Sequence, residues 1–178
     1  MRRNRLGRTD DRVPVLVSDT SVLIDLERCQ LVAEVFAVAA EFVVPDVLFN
    51  RELRGQEGEA YVELGLRVET LTEDEVANAQ QYQRVQRGLS VPDAFSLALA
   101  RARTWTLLTG DGPLRTFAQA NGVECHGVLW LLDLMEAQNT ASFQQLHDGL
   151  GRLAAHPRCR LPMAEVNLRL ERYAIHLA

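Results

Sequence analysis

The chain has 178 residues, of which 47% are apolar and 24% charged, and this is the size and composition of one compact globular domain with a substantial core. All 19 basic residues are arginine, which excludes Schiff-base chemistry on a lysine and the lysine of a phosphate-binding P-loop. The net charge of −5 argues against nonspecific electrostatic binding of nucleic acid as the main activity. The three cysteines are scattered and form no C-x-x-C pair, so we expect neither a disulfide framework nor a zinc site, and a cytoplasmic location.

The first twelve residues, MRRNRLGRTDDR, are rich in arginine, and no long apolar run follows them. We interpret residues 1–12 as a flexible basic arm and expect no secretory signal. The most apolar stretch, LVAEVFAVAAEFVV, contains two glutamates and is too short to span a bilayer, so no membrane role is expected.

Strand patterns alternate with helical patterns along the next part of the chain. The predicted strands are VPVLVS, EFVV, RVETL, TWTLL and VECHG. The predicted helices are TSVLIDLERC, LVAEVFAVAA, PDVLFNRELRG, TEDEVANAQQYQRVQR with a capping box from Thr72 to Glu75, DAFSLALARAR, PLRTFAQA and VLWLLDLMEAQ. This alternation predicts an α/β fold of three layers, α/β/α, with a central parallel sheet.

The end of the chain has a different pattern, with two helices separated by HPRCRLP. The first helix carries an apolar stripe of Phe143, Leu146, Leu150 and Leu153, and the second a stripe of Met163, Val166, Leu170 and Tyr173. We therefore predict a main domain over residues 13–138 and a helical extension of the same domain over residues 139–178.

Four acids, Asp19, Glu52, Asp93 and Asp111, stand where an apolar run stops and a helical pattern begins. In an open parallel sheet such positions lie along one edge, at the carboxyl ends of the strands. Carboxylate oxygens suit Mg²⁺ or Mn²⁺.

Each acid also has a purely structural explanation. Asp19 fits an N-cap, Asp93 a capping box with Ser90, and Asp111 a turn. Glu52 fits a solvated helix face. The spacing alone supports a divalent-cation site and four separate structural roles equally.

The segments around the four acids carry a more specific signal. They are VLVSDTSVLIDL, VVPDVLFNREL, LSVPDAFSLALA and TLLTGDGPLRTFA, followed by GVECHGVLWLL, and together they run from Val15 to Gln138. These segments resemble the PIN domain, a family of metal-dependent ribonucleases that includes VapC-type toxins. The resemblance implies that the catalytic and metal-binding residues are Asp19, Glu52, Asp93 and Asp111, with Glu52 the more peripheral of the four.

The chemistry that the resemblance implies is hydrolysis of RNA phosphodiester bonds with Mg²⁺ or Mn²⁺, which leaves a 5′-phosphate and a 3′-hydroxyl and needs no protein nucleophile. Three hydroxyl residues beside the acids, Thr20, Ser21 and Thr109, would then orient metal ligands or waters. The same residues are equally typical of a helix start or an ordinary strand.

Arginines are the candidates for substrate contacts. Arg115 follows Asp111 by one helical turn, which fits either a bidentate phosphate contact or an i,i+4 ion pair with Asp111. Arg54 and Arg87 are weaker candidates, because arginines at such positions are more typical of a solvated helix face.

The resemblance thus predicts a metal-dependent endoribonuclease, with the toxin of a type II toxin–antitoxin pair as a narrower hypothesis and an antitoxin protein as its partner. The alternative is a catalytically weak PIN domain that binds RNA or a protein partner. Four mutually repelling carboxylates favour the enzyme, because a scaffold has no need of them. PIN domains of this type commonly dimerise, so we also expect a homodimer, formed through the apolar stripes of the last two helices.

Overall fold

The computed structural model describes residues 13–177, so the predicted basic arm over residues 1–12 lies outside the described part. Its strands are β1 (Val15–Ser18), β2 (Glu41–Pro45), β3 (Arg67–Glu69), β4 (Thr106–Leu108) and β5 (Cys125–His126). Its helices are α1 (Thr20–Cys29), α2 (Val32–Phe36), α3 (Asp46–Leu48), α4 (Gln56–Glu63), α5 (Glu73–Val85), α6 (Val91–Arg103), α7 (Gly112–Ala120), α8 (Val128–Gln138), α9 (Phe143–Ala155) and α10 (Met163–Ile175). A π-helical turn over Phe49–Leu53 continues α3.

The five strands form one sheet in the order β3-β2-β1-β4-β5, and all four strand pairs are parallel. Side chains that alternate along the strands form two cores, one on each face. Leu16 and Leu108 face the core built with α1, α8, α9 and α10, while Val17 and Leu107 face the core built with α5, α6 and α7. Burial on both faces explains why strands β1, β2 and β4 read as continuous apolar runs, whereas the edge strand β3 is largely exposed. The predicted three-layer fold is confirmed.

The strand order places a crevice at the centre of the sheet. From β1 the chain moves outward through β2 and β3, and it then returns to the other side of β1 at β4. The connections that leave β1 and β4 therefore diverge. In open parallel sheets, the carboxyl ends of the two strands at such a reversal form the usual ligand crevice.

The last two helices pack on the main domain: α9 lies against α1 and α8, and α10 lies against α9. This packing buries most residues of the two apolar stripes. The fully buried ones are Leu146, Leu150, Leu153, Val166 and Tyr173. The expected dimer surface is therefore largely buried within the chain. A homodimer stays a prediction. The apolar side chains of α10 that remain exposed, and so could contact a second copy, are Met163, Leu168 and Ile175.

Two local predictions were wrong. The helix expected over residues 31–40 ends at Phe36, and α4 forms in the Gly- and Glu-rich passage where no helix was expected. The capping box of α5 is confirmed, because Thr72 and Glu75 bond reciprocally. Within residues 13–177, no helix has the length and apolarity needed to cross a membrane.

Candidate active site

Asp19 lies directly after β1, and its main chain is still paired with the sheet. Its N–H donates to the carbonyl of Leu108 at 3.0 Å, which extends the pairing of β1 with β4 by one residue. The side chain is also the N-cap of α1, because it accepts the N–H of Val22 at 3.1 Å. Asp19 is only 3% exposed. Its carboxylate is therefore fixed at the buried end of the central crevice.

Two hydroxyl groups connect this carboxylate to the loop after β4. Ser21 Oγ donates to Asp19 Oδ1 at 2.6 Å and accepts the N–H of Gly110 at 2.9 Å. Thr109 Oγ1 donates to Asp19 Oδ2 and accepts the N–H of Asp111 at 3.0 Å. Both oxygens of Asp19 are thus tied, through one hydroxyl each, to the backbone that carries Asp111.

Asp111 follows β4 closely and caps α7, since its Oδ1 accepts the N–H of Leu114 at 2.7 Å. Asp93 is carried by a helix that does not follow a strand. It lies in the first turn of α6, where its N–H donates to Ser90 Oγ at 3.2 Å and its Oδ2 accepts the Ser90 hydroxyl at 2.6 Å. The expectation that each acid follows a strand is wrong for Asp93, because the preceding element is helix α5.

Glu52 lies in the π-helical turn after β2 and α3, and it is exposed. Its carboxylate accepts the hydroxyl of Thr20, the first residue of α1 and the neighbour of Asp19. This hydrogen bond brings Glu52 to the rim of the same crevice, at a more peripheral position than Asp19.

The electrostatics of the site centre on Asp19. Burial raises its pKa from the ordinary 3.8 to about 6, hydrogen bonds from Ser21, Thr109 and Val22 partly oppose this rise, and the negative charge of Asp93 adds to it. Asp93 is therefore close enough to repel Asp19. A cation at this place would relieve both the burial and the repulsion.

The donor chemistry of the site fits a hydrated Mg²⁺ or Mn²⁺. Among residues 13–177, no three His, Cys, Asp or Glu side chains converge closely enough to hold one ion directly. Mg²⁺, however, is usually held by one or two carboxylates and keeps several waters. Asp93 and Asp111 each use one carboxylate oxygen within the fold, which leaves the other as a free acceptor in the described part of the chain. Asp19 Oδ2 accepts a single hydroxyl and keeps a lone pair.

The capping and metal-binding hypotheses for the acids are therefore compatible. Asp19 is an N-cap and Ser90 caps α6, as the structural explanations predicted. Asp93 accepts the Ser90 hydroxyl instead of completing a capping box, and Asp111, for which a turn was expected, is the N-cap of α7. Capping occupies one oxygen of each aspartate, and a carboxylate offers about four lone-pair positions in total.

The arginine candidates differ in their surroundings. Arg115 Nη2 donates to the carbonyl of Thr109 at 2.6 Å, and within residues 13–177 it forms no ion pair with Asp111. The guanidinium nevertheless stays at the crevice. Arg54 and Arg87 are exposed, and their side chains have no hydrogen-bond partner in the part of the chain that the structure describes.

A large cavity, which the sequence did not reveal, extends from the crevice. It has a volume of about 1160 Å³ and is bordered by Asp111 and Arg115 at one end and by the segment between α9 and α10 at the other. The segment HPRCRLP, with two arginines between two prolines, forms part of the cavity wall. The rest of the wall comes from distant parts of the chain, so the sequence of this segment alone could not predict the cavity.

The comparisons with known proteins agree with this architecture. A family model described as the PIN domain matches residues 15–174. A PilT N-terminus domain protein from the hyperthermophilic archaeon Sulfolobus solfataricus P2 has a similar fold, with a TM-score of 0.51 and 15% sequence identity; the match covers 68% of this chain and 92% of that one. No curated protein matches the sequence. Because the family model spans nearly the whole of the fold described above, the chain belongs to the PIN-domain family.

Proposed function

We propose that this protein is a metal-dependent endoribonuclease that hydrolyses phosphodiester bonds in RNA. PIN domains are generally nucleases. The observation that carries the proposal is the placement of Asp19: it is buried after β1, tied through the Thr109 hydroxyl to the backbone of Asp111, and repelled by the charge of Asp93. A buried carboxylate close to a second carboxylate is unfavourable without a cation, and such pairs are found mostly at functional sites.

The three aspartates and Glu52 have distinct roles in this proposal. Asp19 is the anchoring ligand, because the hydroxyls of Ser21 and Thr109 hold both its oxygens in place. Asp93 and Asp111 offer their free oxygens, and Glu52 at the rim adds a peripheral carboxylate. A bound Mg²⁺ or Mn²⁺ would lower the pKa of a coordinated water and neutralise charge at the phosphate.

The hydroxyl residues are positioning residues. Ser21 links Asp19 to the N–H of Gly110, and Thr109 links it to the N–H of Asp111, so a shift of the loop after β4 would move the carboxylate as well. Second-sphere hydrogen bonds of this kind orient metal ligands and commonly contribute about 10–100-fold to metal affinity or activity.

The narrower hypothesis is that the nuclease is the toxin of a toxin–antitoxin pair acting in the cytoplasm. Its support is the resemblance to VapC-type toxins, and the three cysteines, all free thiols, are compatible with a reducing compartment. The test is growth arrest on expression of the protein, relieved by co-expression of the product of an adjacent small open reading frame. Growth arrest that no neighbouring product relieves would contradict the toxin–antitoxin role and leave the nuclease intact.

The central experiment is incubation of purified protein with total RNA in Mg²⁺ or Mn²⁺, followed by mapping of the cut ends. We expect 5′-phosphate and 3′-hydroxyl ends, no cleavage in excess chelator, and no cleavage by Asp93→Asn. Asp74→Asn is the matched control, because Asp74 is an exposed acid in the first turn of α5. Cleavage in chelator, or by Asp93→Asn, would contradict the mechanism. RNA binding without cleavage by a folded wild-type protein would support the alternative, a catalytically weak binding module.

A further inference from the structure

The cavity beside the acidic crevice has a positive lining, although the whole chain carries a net charge of −5. It is bordered by Asp111 and Ser21 at the crevice and reaches the α9–α10 connection, residues 156–162. The arginines along it are Arg28, Arg115, Arg158, Arg160 and Arg169, against two aspartates, Asp25 and Asp111. A local excess of arginine in an acidic protein indicates an anionic ligand.

Two of these arginines are neutralised by the fold. Arg28 pairs with Asp25 at 3.1 Å, and Arg169 pairs with Asp133 at 2.5 Å and with Glu165 at 2.9 Å. They line the cavity, but their charges already have partners.

The other three arginines remain available. Arg158 and Arg160 are exposed, and their side chains form no ion pair or hydrogen bond within residues 13–177. Arg115 uses Nη2 for the carbonyl of Thr109 and keeps its other donors. Planar guanidinium groups with free donors suit bidentate contacts with phosphate oxygens.

The cavity also contains an aromatic surface. His126 and Trp130 stack with ring centroids 4.2 Å apart and an interplanar angle of 10°, and both are half-buried at the cavity wall. A flat aromatic surface beside arginines with free donors is a combination with which proteins bind single-stranded nucleic acid, because an unstacked base can stack on the ring.

The size of the cavity favours a polymer segment. Its volume of about 1160 Å³ is above the range of about 300–1,000 Å³ that is typical of small-molecule sites. It is also continuous with the acidic crevice, since Asp111 borders both. A chain whose scissile phosphate lies at the aspartates would therefore extend into it.

We propose that this cavity binds single-stranded RNA next to the scissile phosphate, with Arg158 and Arg160 holding phosphates and Trp130 stacking on a base. The proposal rests on the proposed function. It assigns the α9–α10 connection to substrate binding, since both arginines lie in that segment.

The test is the binding of a fluorescein-labelled single-stranded RNA oligonucleotide, measured by anisotropy in excess chelator over a range of salt concentrations. For the double variant Arg158→Gln/Arg160→Gln we expect at least about a tenfold loss of affinity. The slope of log affinity against log salt should fall by about 1.4, which is about 0.7 for each lost phosphate contact. Both arginines are exposed, so the variant is expected to fold.

The control is Arg67→Gln/Arg101→Gln, which also removes two arginine charges, at positions that do not border the cavity. Arg67 begins β3 and Arg101 lies near the end of α6. We expect no change in the salt slope. For Trp130→Leu we expect about a fivefold or greater loss of affinity with the slope unchanged, and a smaller loss for Trp130→Phe, which keeps a ring.

The outcomes separate the two proposals. Wild-type affinity and salt slope in Arg158→Gln/Arg160→Gln would overturn the assignment of the cavity, even if the protein cleaves RNA. Equal binding of a duplex of the same sequence would also overturn it, because a duplex has no unstacked base. Binding that depends on Arg158 and Arg160, in a wild-type protein that does not cleave RNA with Mn²⁺, would overturn the nuclease and leave the cavity assignment standing.

Discussion

Thr109 donates its hydroxyl to the buried carboxylate of Asp19, although the two residues are 90 positions apart in the chain. The same oxygen accepts the N–H of Asp111 at 3.0 Å. Thr109 is fully buried, so this contact is shielded from water. One hydroxyl oxygen therefore connects the acid after β1 with the acid after β4, and the spacing of these two carboxylates depends on it.

Thr109→Val should uncouple the two acids. The substitution keeps the shape of the side chain but leaves the N–H of Asp111 without its acceptor and removes a donor from Asp19. An unsatisfied buried polar group costs about 1–3 kcal/mol, so we expect a loss of stability of that size in urea unfolding. We also expect RNA cleavage to fall about 10–100-fold.

Thr109→Ser is the matched control for this prediction, because it keeps the hydroxyl. It should retain near-wild-type cleavage. If Thr109→Val cleaves RNA as fast as the wild type, the hydroxyl does not position the acids.

The stability of the metal-free protein should depend on pH through Asp19. Its pKa is about 6 in the folded protein and ordinarily 3.8, so the folded state binds this proton more tightly than the unfolded state. The contribution of Asp19 to stability is therefore greatest below pH 4 and is lost as the pH rises from about 4 to 6. The difference between these two pKa values corresponds to about 3 kcal/mol in the free energy of unfolding.

Asp19→Asn isolates this effect, because the two proteins differ at no other ionisable side chain. In chelator, we expect the variant to be more stable than the wild type above pH 6, with the difference shrinking toward pH 4. Urea unfolding of the two proteins across this range checks the prediction. A stability difference that does not change with pH would mean that Asp19 titrates as an ordinary aspartate.

A divalent cation should stabilise the folded protein without any RNA present. A ligand that binds only the folded state at 100 times its dissociation constant adds about 2.7 kcal/mol. We expect Mn²⁺ to raise the Tm of the wild type and of Asp74→Asn, and to have little effect on Asp93→Asn/Asp111→Asn. The measurement is thermal unfolding with increasing Mn²⁺ above pH 6. The same rise in the double variant would show that the cation binds elsewhere.

Much of the fold could be predicted from the sequence, because strands buried on both faces leave short apolar runs and helices leave caps such as Thr72. The helix α4 was missed because its segment contains Gly55 and Gly58. Gly58 is required by packing, since a Cβ there would lie 2.0 Å from the carbonyl oxygen of Leu53. The π-helical turn and α4 thus depend on a close backbone approach that has no periodic signal.

The proximity of the site residues could be predicted from the sequence only where the order of the strands determines it. Asp19 and Asp111 follow strands β1 and β4, which neighbour each other in the sheet, so their proximity follows from strand order. Asp93 begins a helix that follows another helix, and its proximity to Asp19 depends on how α6 packs on the sheet. The hydroxyl contacts of Thr109 and the cavity at Trp130 join residues that are far apart in the chain, which no local pattern encodes.

The packing of α9 on α1 should depend on Gly149. A Cβ at this position would lie 2.8 Å from the carbonyl oxygen of Cys29 and 2.9 Å from Leu31 Cδ1. The carbonyl is backbone and cannot move aside easily, so Gly149→Ala forces the two helices apart. We expect a loss of about 1–3 kcal/mol in urea unfolding, as for other overpacked cores.

Gly151→Ala, two residues later in the same helix, is the matched control. A Cβ there meets nothing within 4 Å among residues 13–177, so only helix propensity changes, and we expect a gain of about 0.5–1 kcal/mol. Because α9 leads directly into the connection that carries Arg158 and Arg160, Gly149→Ala should also weaken binding of single-stranded RNA, whereas Gly151→Ala should not. Equal stability of the two variants would mean that the contact between α9 and α1 has room for a methyl group.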